Sequence, residues 1–294
     1  MMRVWLTLEL HLTRLPFGRL ARRAKPGALV RVAPALAFGA LALTAVIASA
    51  QQRGMPADYV PYCFEPQDCP LAPYDGRLTF VRVYFDTRGG GGFGRRASRE
   101  PPWHHDRPYA ERNLSSIMRE VSLARTFDGL TGGNVFALDD PEIFRYPVLW
   151  LSEPGFWVPT NEEVAGLRAY LLKGGFMIFD DYGGYDIRNL EEQLRRVLPE
   201  LRPIQLTGAE PIFKSFFDIE LGALTINQSN RRNPPTYWGL FEDNDPTKRQ
   251  LVMMNHDNDI GEYMEYSASG FYAVDLSNDA YKLGVNYMMY ALTH

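Results

Sequence analysis

The sequence predicts an α/β fold in which a mainly parallel sheet is doubly wound and carries helices on both faces. Segments with a strand pattern alternate along the chain with segments that have a helix pattern, as in βαβ units. The predicted strands are mostly apolar throughout, which is typical of strands that are buried on both faces. About 240 residues follow the N-terminal region, and 13% of the whole chain is aromatic, so the chain can build one sizeable core.

The first predicted elements are a strand and a helix that a long loop connects. Residues 78–85 are rich in β-branched and aromatic side chains and predict the strand. Five of the six residues from Gly89 to Gly94 are glycines, and they open the loop. Residues 109–126 carry apolar side chains at helical spacing and predict the helix.

The later elements continue the alternation of strands and helices. In chain order they are strands over 135–138 and 147–151, a helix ending at Leu172, a strand over 175–179, a helix over 187–197, short strands within 202–206, 212–217 and 224–227, a strand over 251–255 and a helix over 279–292. The helix that ends at Leu172 has the clearest start, because Thr160 and Glu163 have the spacing of a capping box. The whole series predicts a flavodoxin-like sandwich.

The N-terminal region has the pattern of a secretory signal peptide. Residues 1–31 contain seven Lys and Arg side chains and a single acid, Glu9, and residues 32–52 carry no charge. Ala48-Ser49-Ala50 follows the apolar core as a small-x-small site, so we expect cleavage after residue 50. An uncleaved membrane anchor is the alternative, because the apolar run is just long enough to span a bilayer. In both cases the domain is exported, to the periplasm or the cell exterior.

A Pro-rich lead-in is predicted over residues 51–76, before an α/β domain over residues 77–294. It contains both cysteines of the chain, Cys63 and Cys69. In an exported chain, two cysteines at this spacing predict a local disulfide. A metal-binding pair is the alternative, but the spacing is not C-x₂-C and no second pair exists.

The charge balance excludes whole classes of partner. Once residues 1–50 are removed, 24 Lys and Arg residues stand against 34 Asp and Glu residues, so the net charge is near −10. A negative surface repels nucleic-acid phosphates and anionic lipid headgroups. We therefore expect no nucleic-acid partner, and contact with a membrane only through the N-terminal segment.

Polar side chains follow four of the predicted strands, where ligands bind in open α/β sheets. Carboxylates and histidines are the groups that perform acid–base chemistry or bind metal ions, and the catalytic candidates are Asp180, Asp181, His104, His105 and His256. The candidates for ligand binding are Trp103, Asp106, Arg112, Asn113, Glu153, Tyr182, Asp257 and Asp259. We expect these side chains to meet in one cleft.

Each set of candidate residues also has an interpretation that involves no ligand. Asp180 can cap a turn while Asp181 is solvated, and Arg112 and Asn113 can pair locally. The loop aromatics, Trp103 among them, either grip a sugar ring or pack in the core. The glycine loop is a lid rather than a phosphate cradle, because it lacks the end of a P-loop. Residues 256–261 resemble a calcium loop without its spacing, so a divalent metal is a candidate ligand but no cofactor is established.

Several runs in the domain resemble the bacterial family called domain of unknown function 4159. They are residues 79–82, 103–106, 109–114, 152–156, 173–176 with Asp180 and Asp181, and 255–261, and the resemblance covers residues 77–293. It implies a fold similar to class I glutamine amidotransferases and to trehalose-utilisation-like proteins. The cysteine chemistry of those amidotransferases is excluded, because Asp180 stands where the nucleophile is expected and both cysteines lie in the lead-in.

Two functional hypotheses follow. The first is a hydrolase that acts on carbohydrate or cell-wall material, with the aspartates and histidines as acid–base or metal-binding groups. The second is a non-catalytic carbohydrate-binding, accessory or scaffold protein of the cell envelope. An exported cleft has no ready supply of ATP or NAD, which argues against nucleotide chemistry in both cases.

Overall fold

Seven strands form one sheet in the part of the chain that the computed structural model describes, namely Cys63 and residues 65–87, 100–228 and 233–294. In chain order the strands are β1 (Phe80–Val83), β2 (Gly133–Phe136), β3 (Val148–Ser152), β4 (Phe176–Tyr182), β5 (Ile204–Gln205), β6 (Thr236–Phe241) and β7 (Gln250–His256). Their order across the sheet is β2-β1-β3-β4-β7-β6-β5. All described residues lie within one unit of the chain, Asp58–His294.

The sheet is mainly parallel. β1 pairs in parallel with β2 and β3, β3 with β4, and β4 with β7, whereas β6 is antiparallel to both β7 and β5. The chain moves from β1 to β2 on one side and then forms β3 on the other side of β1. Connections that leave in opposite directions open a crevice beyond the carboxyl ends of the strands. The prediction of an α/β fold with a mainly parallel sheet is confirmed.

Helices pack against both faces of this sheet. Those of the described residues are α1 (Tyr109–Val121), α2 (Asn161–Leu172), α3 (Asp186–Val197), α4 (Ile260–Glu265) and α5 (Val274–Thr293). Successive strand residues point to opposite faces. On β3, Leu149 and Leu151 pack in one apolar cluster with α2 and α3, whereas Val148 and Trp150 pack in a second cluster with α1, α4 and α5. Burial on both faces explains why the strands are apolar throughout.

The capping box at the start of α2 is confirmed. The backbone N–H of Glu163 donates to Thr160 Oγ1 at 3.1 Å, and the N–H of Thr160 donates to Glu163 Oε2 at 2.8 Å. Two of the short predicted strands are wrong. Pro211–Lys214 and Thr225–Gln228 form 3₁₀ turns instead, and a proline lacks the N–H that an interior ladder residue donates.

The lead-in is attached to the sheet. Cys63 and Cys69 form the predicted disulfide. Ala72 N–H donates to Asn134 Oδ1 at 2.6 Å, and Asn134 Nδ2 donates to the Ala72 carbonyl at 3.2 Å, so the lead-in lies along β2 at the edge of the sheet. The predicted signal peptide and the glycine loop lie outside the described residues. Within the described residues, no helix has both the length and the apolar character to cross a membrane.

Candidate functional site

A cleft of about 440 Å³ opens where the chain leaves the carboxyl ends of β1, β3, β4 and β7. The residues that line it are Glu100, His104, His105, Asp106, Arg107, Pro108, Tyr109, Glu153, Asp181, Asp259, Glu262, Glu265 and Tyr266. Seven of these described residues carry carboxyl groups, against one arginine and two histidines. We call this site the acidic cleft. Its charge disfavours anionic ligands and favours cations and hydrogen-bond donors such as sugar hydroxyls.

His105 lies between two carboxylates at the centre of the acidic cleft. Its Nδ1 is 2.9 Å from Glu153 Oε1 and 3.5 Å from Asp181 Oδ2. The hydrogen bonds to Asp181 and Glu153 raise the pKa of His105 to about 11. The imidazole therefore carries a proton at neutral pH and fixes the direction of both carboxylates.

Three carboxylates of the acidic cleft have left-handed backbone conformations, with φ values of 67° at Asp106, 51° at Glu153 and 57° at Asp181. Such values are uncommon for residues other than glycine and cluster at functional sites. In Asp181 the cause is local, because the pairing of β4 with β7 shifts register between Phe179 and Tyr182. A bulge of this kind redirects a side chain, here into the cleft.

Asp106 is a deeply buried carboxylate of the acidic cleft. Only 7% of the residue is exposed, and its Oδ2 has no hydrogen-bond partner. Burial raises its pKa well above the ordinary value, and the negative charge of Asp181 adds to the effect. A buried carboxylate oxygen without a partner is costly, which marks Asp106 as a group that is retained for binding or chemistry.

Helix α4 brings three acidic side chains to the other wall of the cleft. Asp259 caps the helix by accepting a hydrogen bond from Glu262 N–H at 2.8 Å. Glu262 and Glu265 follow at helical spacing. Burial raises the pKa of Glu265 to about 7, and the nearby charges of Glu100, Glu111 and Glu262 contribute. A carboxyl group with this pKa can donate a proton near neutral pH.

Asp180 does not reach the acidic cleft, although it was a catalytic candidate beside Asp181. Its side chain is fully buried and accepts hydrogen bonds from Asn255 Nδ2 at 3.0 Å, Ile260 N–H at 3.3 Å and Gly261 N–H at 2.9 Å. Burial raises its pKa to about 6. These bonds attach the start of α4 to β4, so Asp180 corresponds to the capping alternative of the sequence analysis.

His256, Tyr182 and Asp257 also lie outside the acidic cleft, in a separate group at the end of β7. His256 Nδ1 is 3.1 Å from Thr236 Oγ1, and its Nε2 is 3.2 Å from the Gly184 carbonyl. Tyr182 is buried beside the His256 ring, with the two ring centroids 5.5 Å apart. Asp257 Oδ1 accepts the N–H of Gly184 at 2.9 Å. The three side chains therefore contact one another's surroundings and do not line the acidic cleft.

Trp103, Arg112 and Asn113 were candidates for ligand binding, and they also lie outside the acidic cleft. Trp103 is 1% exposed and packs edge-on against Tyr84, so it cannot stack on a ligand. Asn113 Nδ2 donates to the carbonyls of Met264 and Glu265 and thereby holds α1 against α4. Arg112 places its guanidinium 5.6 Å from the centre of the Tyr109 ring. None of these three side chains lines the cleft.

The predicted residues that do meet in the acidic cleft are His104, His105, Asp106, Glu153, Asp181 and Asp259. His104 is buried in the wall, with Nδ1 2.8 Å from Glu100 Oε1. Three further residues of the cleft, Glu100, Arg107 and Glu265, were not predicted, because an irregular loop has no periodic pattern and the short helix α4 was not foreseen. Tyr109 and Tyr266 were also not predicted as the aromatic residues of the cleft, and they are 41% and 38% exposed.

Two overlapping groups in the acidic cleft can hold a metal ion. His105, Glu153 and Asp181 form one group, and Asp106, Asp181 and Asp259 form the other. In each group, one ligand atom from every residue lies within 4.8 Å of the others. The first group offers nitrogen and oxygen, and the second offers oxygen alone, so the two differ in the metal they suit.

Comparison with known proteins identifies one family. A family model described as "Domain of unknown function (DUF4159)" matches residues 93–292, which agrees with the resemblance found in the sequence. None of the curated proteins matches the chain in sequence. The matched range contains every residue that lines the acidic cleft.

Proposed function

This chain belongs to the DUF4159 family, whose description leaves its activity open, and we propose that it is an exported hydrolase acting on uncharged carbohydrate of the cell envelope. One observation carries the proposal. A carboxyl group able to donate a proton, Glu265, shares one cleft with Glu153, a carboxylate that His105 holds in place. Two carboxyl groups with different environments are what glycosidic bond cleavage requires.

The lining of the acidic cleft supports an uncharged sugar as the ligand. Carboxylates accept hydrogen bonds and do not donate them, so their natural partners are hydroxyl groups. The exposed rings of Tyr109 and Tyr266 stand beside these carboxylates and offer apolar faces. The concentration of negative charge repels polymers rich in carboxylate or phosphate.

In the proposed reaction, one wall of the acidic cleft supplies the general acid and the other wall supplies the general base. Glu265 protonates the leaving glycosidic oxygen, and the carboxylate of Glu153 orients and deprotonates the attacking water. His105 is a positioning residue, because it touches Glu153 and Asp181 rather than the reacting atoms. Asp181 also holds the imidazole, because its Oδ2 lies 3.5 Å from the same Nδ1.

Export and a flavodoxin-like or amidotransferase-like arrangement are part of the proposal. The disulfide between Cys63 and Cys69 supports export, since such bonds persist in oxidising compartments. The order β2-β1-β3-β4-β7 of the five parallel strands supports the flavodoxin-like arrangement, because it follows the 2-1-3-4-5 pattern.

The proposal is tested by incubating the purified protein with uncharged envelope polysaccharides and measuring the reducing ends released. We expect Glu153→Gln and Glu265→Gln to lower the rate by at least 100-fold each, the scale of positioned acid–base catalysis. Asp181→Asn should also abolish turnover, since His105 would lose one of its two carboxylates. Glu192→Gln, an exposed site on α3, is the matched control and should retain full activity.

Two other outcomes would contradict the hydrolase. Glycan binding without turnover would instead support the non-catalytic binding or accessory role. Turnover that survives both Glu153→Gln and Glu265→Gln would show that the catalytic groups lie elsewhere in the chain.

A further inference from the structure

We propose that Asp106, Asp181 and Asp259 form a binding site for a hard divalent cation of the Ca²⁺ or Mg²⁺ class. The site goes beyond the proposed hydrolase and does not depend on it. Asp106 and Asp259 lie in the connections after β1 and β7, whereas Asp181 lies near the end of β4, so the three residues meet only in the folded chain. Their meeting point is the acidic cleft.

The spacing of the oxygen atoms fits a single ion. One carboxylate oxygen from each of the three aspartates lies within 4.8 Å of the other two. Calcium binds oxygen ligands at about 2.3–2.6 Å, so two oxygens on one ion are separated by no more than about 5 Å. The three side chains therefore need little movement to share a cation.

Asp106 supplies an independent reason to place a ligand here. It is more than nine-tenths buried, lines the cleft, and has an oxygen, Oδ2, without a hydrogen-bond partner. Buried polar atoms normally have hydrogen-bond partners, because a buried atom without a partner destabilises the folded state. Asp106 also has a left-handed backbone, with φ at 67°, in a loop whose neighbouring side chains are hydrogen-bonded. A cation would satisfy the unmet oxygen.

The oxygen-only group is a better site than the group that includes His105. The Nδ1 of His105 already forms a 2.9 Å contact with Glu153 Oε1, so using it as a ligand would break that contact. Oxygen-only sites favour Ca²⁺, Mg²⁺ and Mn²⁺, whereas imidazole suits zinc and other transition metals. We therefore expect Ca²⁺ or Mg²⁺ to bind in preference to Zn²⁺.

Gly261 is the neighbour that makes room for the Asp106 carboxylate. A Cβ atom at residue 261 would lie 2.4 Å from Asp106 Oδ2 and 3.0 Å from its Cγ. The N–H of Gly261 also donates to Asp180, so the start of α4 cannot easily shift away. Gly261→Ala thus displaces a proposed ligand without removing any carboxylate, which gives a second way to test the site.

The experiment is calorimetric titration of the chelator-stripped protein with CaCl₂, MgCl₂ and ZnCl₂, without carbohydrate. We expect one Ca²⁺ or Mg²⁺ per chain and a higher Tm in the presence of the ion. Asp106→Asn and Gly261→Ala should each weaken binding by at least tenfold. Asp243→Asn is the matched control, since Asp243 also has a left-handed backbone but lies between β6 and β7 at the opposite end of the strands.

Three results would overturn the proposal. The first is no binding of Ca²⁺ or Mg²⁺ at millimolar concentration, and the second is unchanged binding in Asp106→Asn with a native circular dichroism spectrum. The third is preferred binding of Zn²⁺ that His105→Ala abolishes, which would place the metal in the other group. Because no carbohydrate is present, a cation site that fails leaves the hydrolase untested by this experiment, and a failed hydrolase does not remove the cation site.

Discussion

Glu265 has surroundings that oppose its negative charge. It is partly buried in the acidic cleft, and the carboxylates of Glu100, Glu111 and Glu262 are near enough to raise its pKa further, to about 7. The ordinary pKa of a glutamate is 4.5. The difference means that the folded protein holds a proton that the unfolded chain has released, over the whole interval between these two values.

This difference predicts a pH dependence of stability. Between pH 4.5 and about 7 the folded state binds more protons at Glu265 than the unfolded state, so the free energy of unfolding falls as pH rises through this window. We expect Tm to decrease from pH 5 to pH 8, and Glu265→Gln to make that decrease smaller. Thermal unfolding at several pH values measures both. An equally steep decrease in Glu265→Gln, or a smaller one in Glu192→Gln, would contradict the assignment.

Individual site residues were predictable only where their position in the chain decides whether the side chain reaches the acidic cleft. Asp181 lies near the carboxyl end of β4 and Glu153 directly follows β3, and residues at the carboxyl ends of neighbouring parallel strands lie close together. Glu265 lies six residues beyond Asp259, and only the turn of α4 brings it back to the cleft. Trp103 follows the alternative of packing in the core, because a large apolar side chain in a loop gains more from burial than from exposure.

Helix α4 depends on Asp180 for its attachment to the sheet. The two oxygens of this carboxylate accept the first N–H groups of the helix and the amide of Asn255, which in turn accepts the hydroxyl of Tyr287 at 2.9 Å. The first N–H groups of a helix have no partner within the helix itself. Asp180, which lies on β4, accepts two of these N–H groups in α4. Since α4 carries Glu262 and Glu265, this attachment also sets the shape of the cleft.

The two neighbouring aspartates are therefore expected to differ in how much stability the same substitution costs. Asp180→Asn places an NH₂ group where one oxygen accepts, leaves at least one buried donor unpaired, and should lower the free energy of unfolding by about 1–3 kcal/mol. Asp181→Asn keeps a residue that tolerates the left-handed backbone and relieves charge repulsion in the cleft, although it weakens the contact with His105, so it should lower stability by less than Asp180→Asn does. Urea denaturation of both variants measures this. A loss in Asp181→Asn as large as that in Asp180→Asn would contradict it.

Helices and strands were predicted correctly where the local sequence pattern was long or where a capping box marked the start of a helix. α2 was assigned correctly because Thr160 and Glu163 mark its start. α4 has only six residues, too few for a helical period to show. β6 contains Gly239, which weakens a strand pattern, but a Cβ there would lie 2.8 Å from the ring of Phe241. Helix α4 and strand β6 were not predicted, because both depend on tertiary contacts that a local sequence pattern does not show.

The disulfide stabilises the molecule as a whole to a limited extent. It closes a loop with a sequence separation of six, for which chain entropy gives about 2 kcal/mol. Arg107 Nη1 donates to Cys63 Sγ at 3.2 Å, so the bond also supports the wall of the cleft. We expect a reductant to lower the free energy of unfolding by about that amount in urea denaturation. The double variant Cys63→Ser, Cys69→Ser should not respond to it, and equal midpoints with and without reductant would contradict the expectation.

The overall fold was more predictable than the site. Alternation of strands and helices, together with strands apolar on both faces, was enough to assign a parallel α/β sheet, because few arrangements bury such strands. The antiparallel pair β5 and β6 was not foreseen, since strand direction depends on the path of the intervening chain. The acidic cleft was foreseen in location but only partly in membership, because rotamers and bulges decide which carboxylates enter it.

The attachment of the lead-in to β2 has a consequence for self-association. An edge strand presents unpaired backbone groups that can recruit a strand of another molecule. The side chain of Asn134 binds both backbone groups of Ala72, so the lead-in packs against β2, and we expect it to hinder a second copy from pairing with this strand. We expect a chain shortened to begin at residue 77 to keep every residue that lines the cleft but to aggregate more readily through that strand. The described part of the lead-in, none of whose residues line the cleft, is thus expected to protect the domain from self-association.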